Sequence, residues 1–185
     1  MLTDALRGLI SALDSLRVRY ALVGGLAVIA RGVVRATRDV DVMVDYPLSE
    51  GPAVAGVLSQ RGLPATFVRG DSDDPIIGVI RVLWGNSDAA VGCDIFFPSK
   101  SWQAEAVRRA SRVEFEDLTL RVVETGDLFL LKLHAGGPMD LFDPANLLAL
   151  QPEKDRAFWK ERAAKIHRSR KFDECLKFLP ESGEP

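Results

Sequence analysis

The sequence predicts a mixed α/β sheet flanked by helices, with a small helical subdomain at the C-terminal end. Segments that alternate apolar and polar residues, as strands do, dominate the first two thirds of the 185 residues, and a helical pattern runs from Thr125 onward. The chain shows no internal repeat, low-complexity tract or linker. This order of elements favours one compact unit, with a core of residues 1–124 on which a helical subdomain of residues 125–185 packs.

The composition is that of a globular protein. Hydrophobic residues make up 47% and charged residues 27%, which excludes disorder, and the net charge of −2 excludes a polycation that binds nucleic acid by overall charge alone. Cys93 and Cys175 are too few and too far apart for a disulfide framework or a zinc site, so we expect buried thiols in a reducing compartment. With no apolar stretch of the roughly 20 residues that a bilayer needs and no signal-peptide pattern, we expect a cytoplasmic protein without a membrane partner.

The first elements are a helix, a strand and a glycine turn that opens a second helix. Leucine and isoleucine recur at helical spacing over residues 2–16, and a short strand follows over residues 18–22. Gly24-Gly25 interrupts that strand, and residues 26–30 indicate a buried helix. Residues 37–44 then alternate strictly, which predicts a strand with opposite faces formed by Val40, Val42 and Val44 and by Asp39, Asp41 and Met43.

The middle of the chain predicts two helices, over residues 52–61 and 101–110. Its apolar runs predict five strands, over residues 66–68, 76–84, 89–97, 112–115 and 119–123. The second and third of these strands form one hairpin, and the fourth and fifth form another. After Thr125 the pattern predicts three or four helices, separated at residues 136–138, at residues 151–152 and near Ser169.

Asp39 and Asp41 are the first candidate functional residues. They lie two apart on a predicted strand, so both carboxylates point the same way. Like charges this close need a cation, or one of them takes a proton. Magnesium is the usual cation, because it prefers oxygen ligands and recruits substrate phosphates. Taken alone, the same pattern also fits the solvent face of an amphipathic strand.

Two further features belong to this group of candidates. Gly24-Gly25 ends a strand and opens a helix, where backbone amides bind phosphate; an ordinary tight turn is the alternative. Asp94 lies in an otherwise apolar strand, where a lone carboxylate is costly unless it is paired or bound to a metal. Capping of a neighbouring loop is the alternative for Asp94.

Charged residues after Thr125 have both structural and functional interpretations. Lys132 is flanked by apolar residues, so it either extends to the surface or meets an anion, and we favour a phosphate. Asp140 and Asp143 share a helix face, and we favour a charge pair that caps the helix and interacts with lysine or arginine. For His134 we favour a structural role.

Residues 153–171 carry a net charge of +5. Three acidic residues accompany eight basic ones, which are Lys154, Arg156, Lys160, Arg162, Lys165, Arg168, Arg170 and Lys171. This segment is either a solvated helix face or a surface that binds an RNA backbone, and we give the two interpretations equal weight.

Taken together, the motifs resemble the nucleotidyltransferase superfamily of the polymerase-beta type. The pattern is Gly-Gly, thirteen residues, Asp-Val-Asp-Val and a later single aspartate on an apolar strand. Residues 22–28 and 35–44 are similar to the nucleotidyltransferase toxins of bacterial toxin–antitoxin systems, including the AbiEii-type and mycobacterial tRNA-modifying groups. Residues 130–143 are similar to the second motif of that group. The resemblance spans about residues 18–150.

The resemblance implies a nucleotidyltransferase fold and a catalytic core in residues 1–124. It implies transfer of a nucleoside monophosphate from an NTP to a hydroxyl, with release of pyrophosphate and with two magnesium ions as cofactors. The NTP phosphates would be bound by Gly24, Gly25, Arg38 and Lys132. Asp39 and Asp41 would bind both magnesium ions, and Asp94 would complete the site of the ion that activates the acceptor hydroxyl. The catalytic residues would be Asp39, Asp41, Asp94 and Lys132.

Three hypotheses for the function follow. The resemblance favours the tRNA 3′ end as acceptor, bound through residues 153–171, in a toxin that a cognate antitoxin restrains. A second hypothesis replaces tRNA by a protein or by a small molecule such as an aminoglycoside, for which the acidic residues 71–74 are the candidate pocket. The third is a noncatalytic nucleotide- or RNA-binding module, whose signature would be the loss of one metal carboxylate; all three carboxylates are present.

Overall fold

The computed structural model of the chain describes residues 1–71, 76–85, 90–137, 139–151 and 155–179. The helices in these ranges are α1 (Leu2–Ser15), α2 (Gly24–Ala30), α3 (Gly51–Gln60), α4 (Ser101–Arg109), α5 (Thr125–Ala135), α6 (Met139–Ala149), α7 (Arg156–Lys165) and α8 (Ser169–Cys175). The strands are β1 (Tyr20–Leu22), β2 (Val40–Val44), β3 (Ala65–Arg69), β4 (Gly78–Trp84), β5 (Val91–Phe96), β6 (Ser111–Phe115) and β7 (Leu118–Val122). Short 3₁₀ helices span Leu48–Glu50 and Leu176–Phe178.

The strands form one mixed sheet in the order β3-β4-β5-β2-β1-β7-β6. Strands β2 and β5 pair in parallel, as do β1 and β7, and the other pairs are antiparallel. Both predicted hairpins are present, as β4-β5 and β6-β7. Part of the first hairpin's loop, residues 86–89, lies outside the described residues. The mixed α/β fold predicted from the sequence is confirmed.

Strand β2 is shorter than the alternation over residues 37–44 predicts. Strand β2 begins at Val40, because Val40 is the first of these residues that pairs with a neighbouring strand, β5. The other neighbouring strand, β1, pairs with β2 from Val42 onward. The residues before Val40 have no strand beside them to bond their backbone groups. Asp39 therefore lies just before the strand, and its side chain is exposed.

Helices α1 and α3 cover one face of the sheet. Val40, Val42, Ile80 and Ile95 point to this face and are fully buried, and α1 contacts β2 and β5 while α3 contacts β3 and β4. Helix α4 packs against β1 and β2, and α5 contacts α2 and α4. The opposite face of β4 and β5 therefore carries polar and exposed side chains, which include the candidate site.

The helices after Thr125 share an aromatic core. The ring of Phe129 in α5 lies 4.8 Å from that of Trp159 in α7 and 6.1 Å from that of Phe172 in α8, measured between centroids. All three side chains are buried. The described residues after Thr125 form four helices, where the pattern predicted three or four, and the last begins at Ser169. The boundary at residue 124 stays a prediction.

Both cysteines are buried free thiols, as expected. In the described part of the chain, no helix combines the length and the apolar character that crossing a membrane requires.

Candidate active site

The three predicted carboxylates lie together on the open face of the sheet. Asp41 on β2 and Asp94 on β5 are direct partners in the parallel register, so their side chains are neighbours on the same face. Asp39 precedes β2 and reaches the same region, since a Cβ atom on Gly92 of β5 would lie 3.4 Å from its Oδ1. The fold thus brings together residues that are 55 positions apart in the sequence.

Burial and repulsion from neighbouring carboxylates raise the pKa of Asp41 and of Asp94. The pKa of Asp41 is raised to about 6, mainly by burial and next by repulsion from Asp94. Lys132 and the Gly25 amide lower the pKa and so oppose this shift. Burial also raises the pKa of Asp94, where Arg81 opposes the shift and Asp39 adds to it. The site therefore holds more negative charge than the surrounding side chains neutralise, and a bound cation would relieve this repulsion.

The donor chemistry fits a magnesium ion that binds together with a nucleotide. Carboxylate oxygens are the ligands that magnesium prefers. Within the described ranges, no group of three or more histidine, cysteine, aspartate or glutamate side chains is arranged to hold a metal ion. Magnesium is commonly bound by one or two carboxylates while substrate phosphates complete its coordination, so such a preformed group is not needed.

The glycine pair packs directly against Asp41. Helix α2 begins at Gly24, as predicted, with φ of +64°, a conformation that favours glycine. A Cβ atom on Gly24 would overlap the Asp41 carboxylate, and one on Gly25 would lie 2.6 Å from Oγ1 of Thr37. The Gly25 N–H donates to Asp41. We expected the Gly25 amide to bind a phosphate of the NTP. In this structure it binds the Asp41 carboxylate and holds that candidate catalytic residue in place.

Lys132 meets anions, but these anions belong to the protein. Its ammonium lies 2.9 Å from Oδ2 of Asp143 and 3.1 Å from Oδ1 of Asp140. Asp140 also accepts from the Gly137 amide at 2.7 Å, and Asp143 is bound by Arg35 at 2.6 Å. The charge-pair interpretation of the two aspartates is therefore confirmed. A phosphate could bind Lys132 only in competition with these carboxylates.

Two arginines lie beside the carboxylates. Arg38, a predicted phosphate ligand, is exposed next to Asp39 and forms no ion pair with any residue that the structure describes. Arg81 on β4 is exposed and directly opposite Asp94 in the hairpin register. We did not predict Arg81 from the sequence. The sequence could have indicated it, because Arg81 is the single charged residue of an apolar strand that is predicted to form a hairpin with the strand of Asp94.

Two separate hollows border the carboxylates. A cavity of about 220 Å³ is lined by Gly24, Asp41 and Lys132, and by mostly apolar walls formed by Val23, Met43, Ile76, Phe96, Phe97, Gln103, Leu128, Leu131, His134, Ala135 and Asp140. An open groove of about 840 Å³ on the sheet is lined by Asp94 and Arg81 and by residues of β3, β4 and β5. Asp41 thus borders the cavity and Asp94 borders the groove.

For His134 the structural role that we favoured stays a prediction. Its ring packs edge-on against Trp102, with centroids 5.7 Å apart, which agrees with a packing role. However, both ring nitrogens are buried and have no hydrogen-bond partner among the residues described. Both His134 and Lys132 line the cavity, although they lie on different faces of α5.

Half of the basic side chains of residues 153–171 pair with carboxylates of the protein. Four of its side chains form ion pairs, namely Lys160 with Asp173, Arg162 with Asp127, Lys165 with Glu161 and Arg170 with Glu174. Lys154 and most of the acidic stretch at 71–74 lie outside the described residues. Arg156, Arg168 and Lys171 form no ion pair with any residue that the structure describes, so RNA binding by this segment stays a prediction.

Solved structures with similar folds are nucleotidyltransferases or nucleotidyltransferase-like proteins. An antigenic nucleotidyltransferase-like protein from Paracoccidioides brasiliensis matches with a TM-score of 0.55 at 17% identity, over 95% of this chain and 92% of that one. The solution structure of the antibiotic-resistance factor ANT(2″)-Ia matches with a TM-score of 0.58 at 12% identity, over 96% and 97%. The lincomycin-bound lincosamide antibiotic adenylyltransferase LnuA matches with a TM-score of 0.51 at 18% identity, over 80% and 96%.

No protein-family model matches the sequence, and no curated protein sequence matches it either. At these low identities, the structural similarity establishes the fold alone. The chain has a nucleotidyltransferase-like fold, as the motifs implied, while the resemblance to toxins that modify tRNA stays a prediction.

Proposed function

We propose that this protein transfers a nucleoside monophosphate from a magnesium-bound NTP to an acceptor hydroxyl. The observation that supports this most is the pairing of Asp41 with Asp94 across β2 and β5, with Asp39 beside them, where Asp41 borders a cavity and Asp94 borders a groove. A transfer between two substrates needs both to meet at one site. Each hollow borders one of the paired carboxylates, which suits a nucleotide on one side and an acceptor on the other.

We assign the residues as follows. Asp39 and Asp41 hold two magnesium ions together with the triphosphate, and Asp94 completes the site on the acceptor side. When bound, the ions stabilise negative charge on the attacking and leaving oxygens. The acceptor oxygen bonds to the α-phosphorus as the bond to pyrophosphate breaks. Arg38 is exposed and available to neutralise the phosphates, whereas Lys132 contributes its positive field from within the ion pairs of α6.

The cavity suits the base of the nucleotide. Met43, Phe96, Leu128 and Leu131 give it apolar walls next to Asp41, and such walls favour a flat aromatic ring. Its volume of about 220 Å³ is below the usual size of a pocket for a whole ligand. A base can therefore occupy the cavity while the phosphates extend to the carboxylates.

For the acceptor, we propose the tRNA 3′ end, in a toxin with a cognate antitoxin. The support is the motif resemblance and the open groove beside Asp94, which carries the cationic Arg81. A small-molecule acceptor is the second candidate, because two proteins of similar fold are an antibiotic-resistance factor and a lincosamide adenylyltransferase. The arginine in the groove disfavours a polycationic aminoglycoside, so a small acceptor would be neutral or anionic.

The test incubates purified protein with magnesium, each α-labelled NTP in turn and total tRNA. We expect label on tRNA, reduced by about a hundredfold or more in Asp41→Asn. The matched control is Asp117→Asn, an exposed carboxylate in the turn between β6 and β7, which should label normally. A parallel incubation replaces tRNA with lincomycin, and label on lincomycin but not on tRNA would favour the small-molecule acceptor. Transfer that persists in Asp41→Asn, or no transfer and no magnesium-dependent NTP binding, would overturn the proposed function.

A further inference from the structure

Three basic side chains, Lys100, Arg168 and Lys171, act electrostatically on His134 of α5. Lys100 lies immediately before α4, Arg168 immediately before α8, and Lys171 within α8. After burial, these three cations are the causes that lower the pKa of His134. The Lys171 ammonium also lies directly against Gly136 at the end of α5. Lys100, His134, Arg168 and Lys171 are called the cationic cluster below.

Carboxylates do not balance the cationic cluster. Lys100, Arg168 and Lys171 form no ion pair with any described residue, although four other basic residues of α7 and α8 do. Asp140 lines the same cavity as His134, but Lys132 and the Gly137 amide already bind its carboxylate. Bringing like charges together is unfavourable, so this arrangement is best explained by an anion that binds among them.

Unused hydrogen-bonding groups lie in the same place. Both nitrogens of His134 and the Nε of Arg168 are buried and have no partner in the described part of the chain. Buried polar groups are normally paired, and an unpaired one lowers stability. Edge-on packing against Trp102 keeps the imidazole in position. These groups are therefore available to a ligand that brings its own oxygen atoms.

We infer that the cationic cluster is a phosphate-binding subsite, separate from the three carboxylates. Guanidinium and ammonium groups beside a neutral imidazole suit the several oxygens of a phosphate group. His134 lines the same cavity as Asp41 and Gly24, so the phosphate belongs to a molecule bound at the site. The inference rests on the proposed function only for the source of that phosphate, which is either the nucleotide tail or the backbone of a nucleic-acid acceptor.

The first experiment measures inorganic pyrophosphate binding to the full-length protein by calorimetry in EDTA. Without metal ions, the three carboxylates repel the probe. The double variant Arg168→Ala/Lys171→Ala should weaken binding by about tenfold or more, since it removes two charge-assisted contacts. The matched control is Arg170→Ala, which lies between them on the same helix, is 93% exposed and pairs with Glu174. It should leave the affinity within about twofold of wild type.

A second variant separates ligand binding from folding. His134→Phe keeps the ring packing against Trp102 and removes two nitrogens that bond to no described residue. We expect weaker pyrophosphate binding with a melting temperature at or above that of wild type. A lower melting temperature would show that the imidazole is structural. That result, an absence of pyrophosphate binding in wild type, or equal losses in the double variant and in Arg170→Ala would overturn the subsite.

The source of the phosphate is identified with magnesium present. If the nucleotide tail occupies the cluster, the double variant weakens ATP binding and leaves AMP binding unchanged. If the acceptor occupies it, the variant weakens binding of an RNA oligonucleotide ending in CCA and leaves ATP binding unchanged. Unchanged binding of both would overturn the inference. Asp41→Asn should lose transfer yet still bind pyrophosphate in EDTA, so failure of the proposed function and failure of the subsite are distinguishable.

Discussion

Asp41 carries a charge that the protein alone neutralises poorly. Burial and the neighbouring Asp94 raise its pKa to about 6, against the stabilising effects of Lys132 and the Gly25 amide. The charged form is therefore disfavoured in the folded state without a bound cation. The carboxylate most central to the proposed chemistry is also one that lowers stability when the site holds no ligand.

We expect the stability of the metal-free protein to fall as the pH rises from about 4 to about 6. In the unfolded chain Asp41 ionises near 3.8, whereas the folded protein keeps the proton until about 6. Rising pH therefore favours the unfolded state within this window, by about 3 kcal/mol in total. Urea unfolding in EDTA on both sides of the window, with Asp41→Asn as reference, measures the effect. A constant difference between the two proteins would contradict it.

The three aspartates could be selected from the sequence because each is a charged residue in or beside an apolar strand. Arg81 lies in a comparable run, but its position opposite Asp94 depends on the register of the β4-β5 hairpin. A one-residue shift in that register would move it away from the site. The hairpin was therefore predictable, whereas the contact it creates was not.

At the scale of elements, one buried carboxylate joins three parts of the fold. Asp143 on α6 is 1% exposed. It contacts Lys132 on α5 and Arg35 in the segment that leads to β2. Helix α6 thus fixes both α5, which lines the cavity, and the segment that ends at Asp39. The spacing of apolar residues along α6 predicts a helix, but it does not predict that Asp143 binds Lys132 and Arg35.

We expect Asp143→Asn to destabilise the protein by about 3 kcal/mol, because it removes a buried carboxylate charge from two partly buried cations, Arg35 and Lys132. The matched control is Asp173→Asn on α8, whose carboxylate is 56% exposed and pairs with Lys160. An exposed pair of this kind contributes about 1 kcal/mol or less. Urea unfolding of both variants is the measurement, and equal effects would contradict the role given to Asp143.

At the scale of the whole molecule, the site is divided between a cavity under α5 and a groove on the open sheet. Asp41 borders the first and Asp94 the second. The division arises because α4 and α5 cover only part of the face that carries both carboxylates. No group of three metal-binding side chains is preformed in the ranges described above. Under the proposed function, the phosphates of the nucleotide would complete the ion site.

We therefore expect magnesium and nucleotide to stabilise the protein jointly. Magnesium alone should raise the melting temperature little, whereas magnesium with a non-hydrolysable NTP at about a hundred times its Kd should add about 2.7 kcal/mol. Thermal unfolding with each component alone and with both is the measurement. Asp41→Asn should lose the joint effect and Asp117→Asn should keep it. Full stabilisation by magnesium alone would indicate a preformed metal cage.

The sequence by itself determined the kind and order of the elements and the candidate carboxylates. Local periodicity and composition report which side chains are buried along one helix or strand, and they predicted both hairpins and three or four terminal helices. Only the tertiary structure decided what Lys132 binds, why Gly24 must be glycine and which cations act electrostatically on His134. Each of these depends on contacts between residues that are distant in the sequence, because packing, not local pattern, determines which side chains become neighbours.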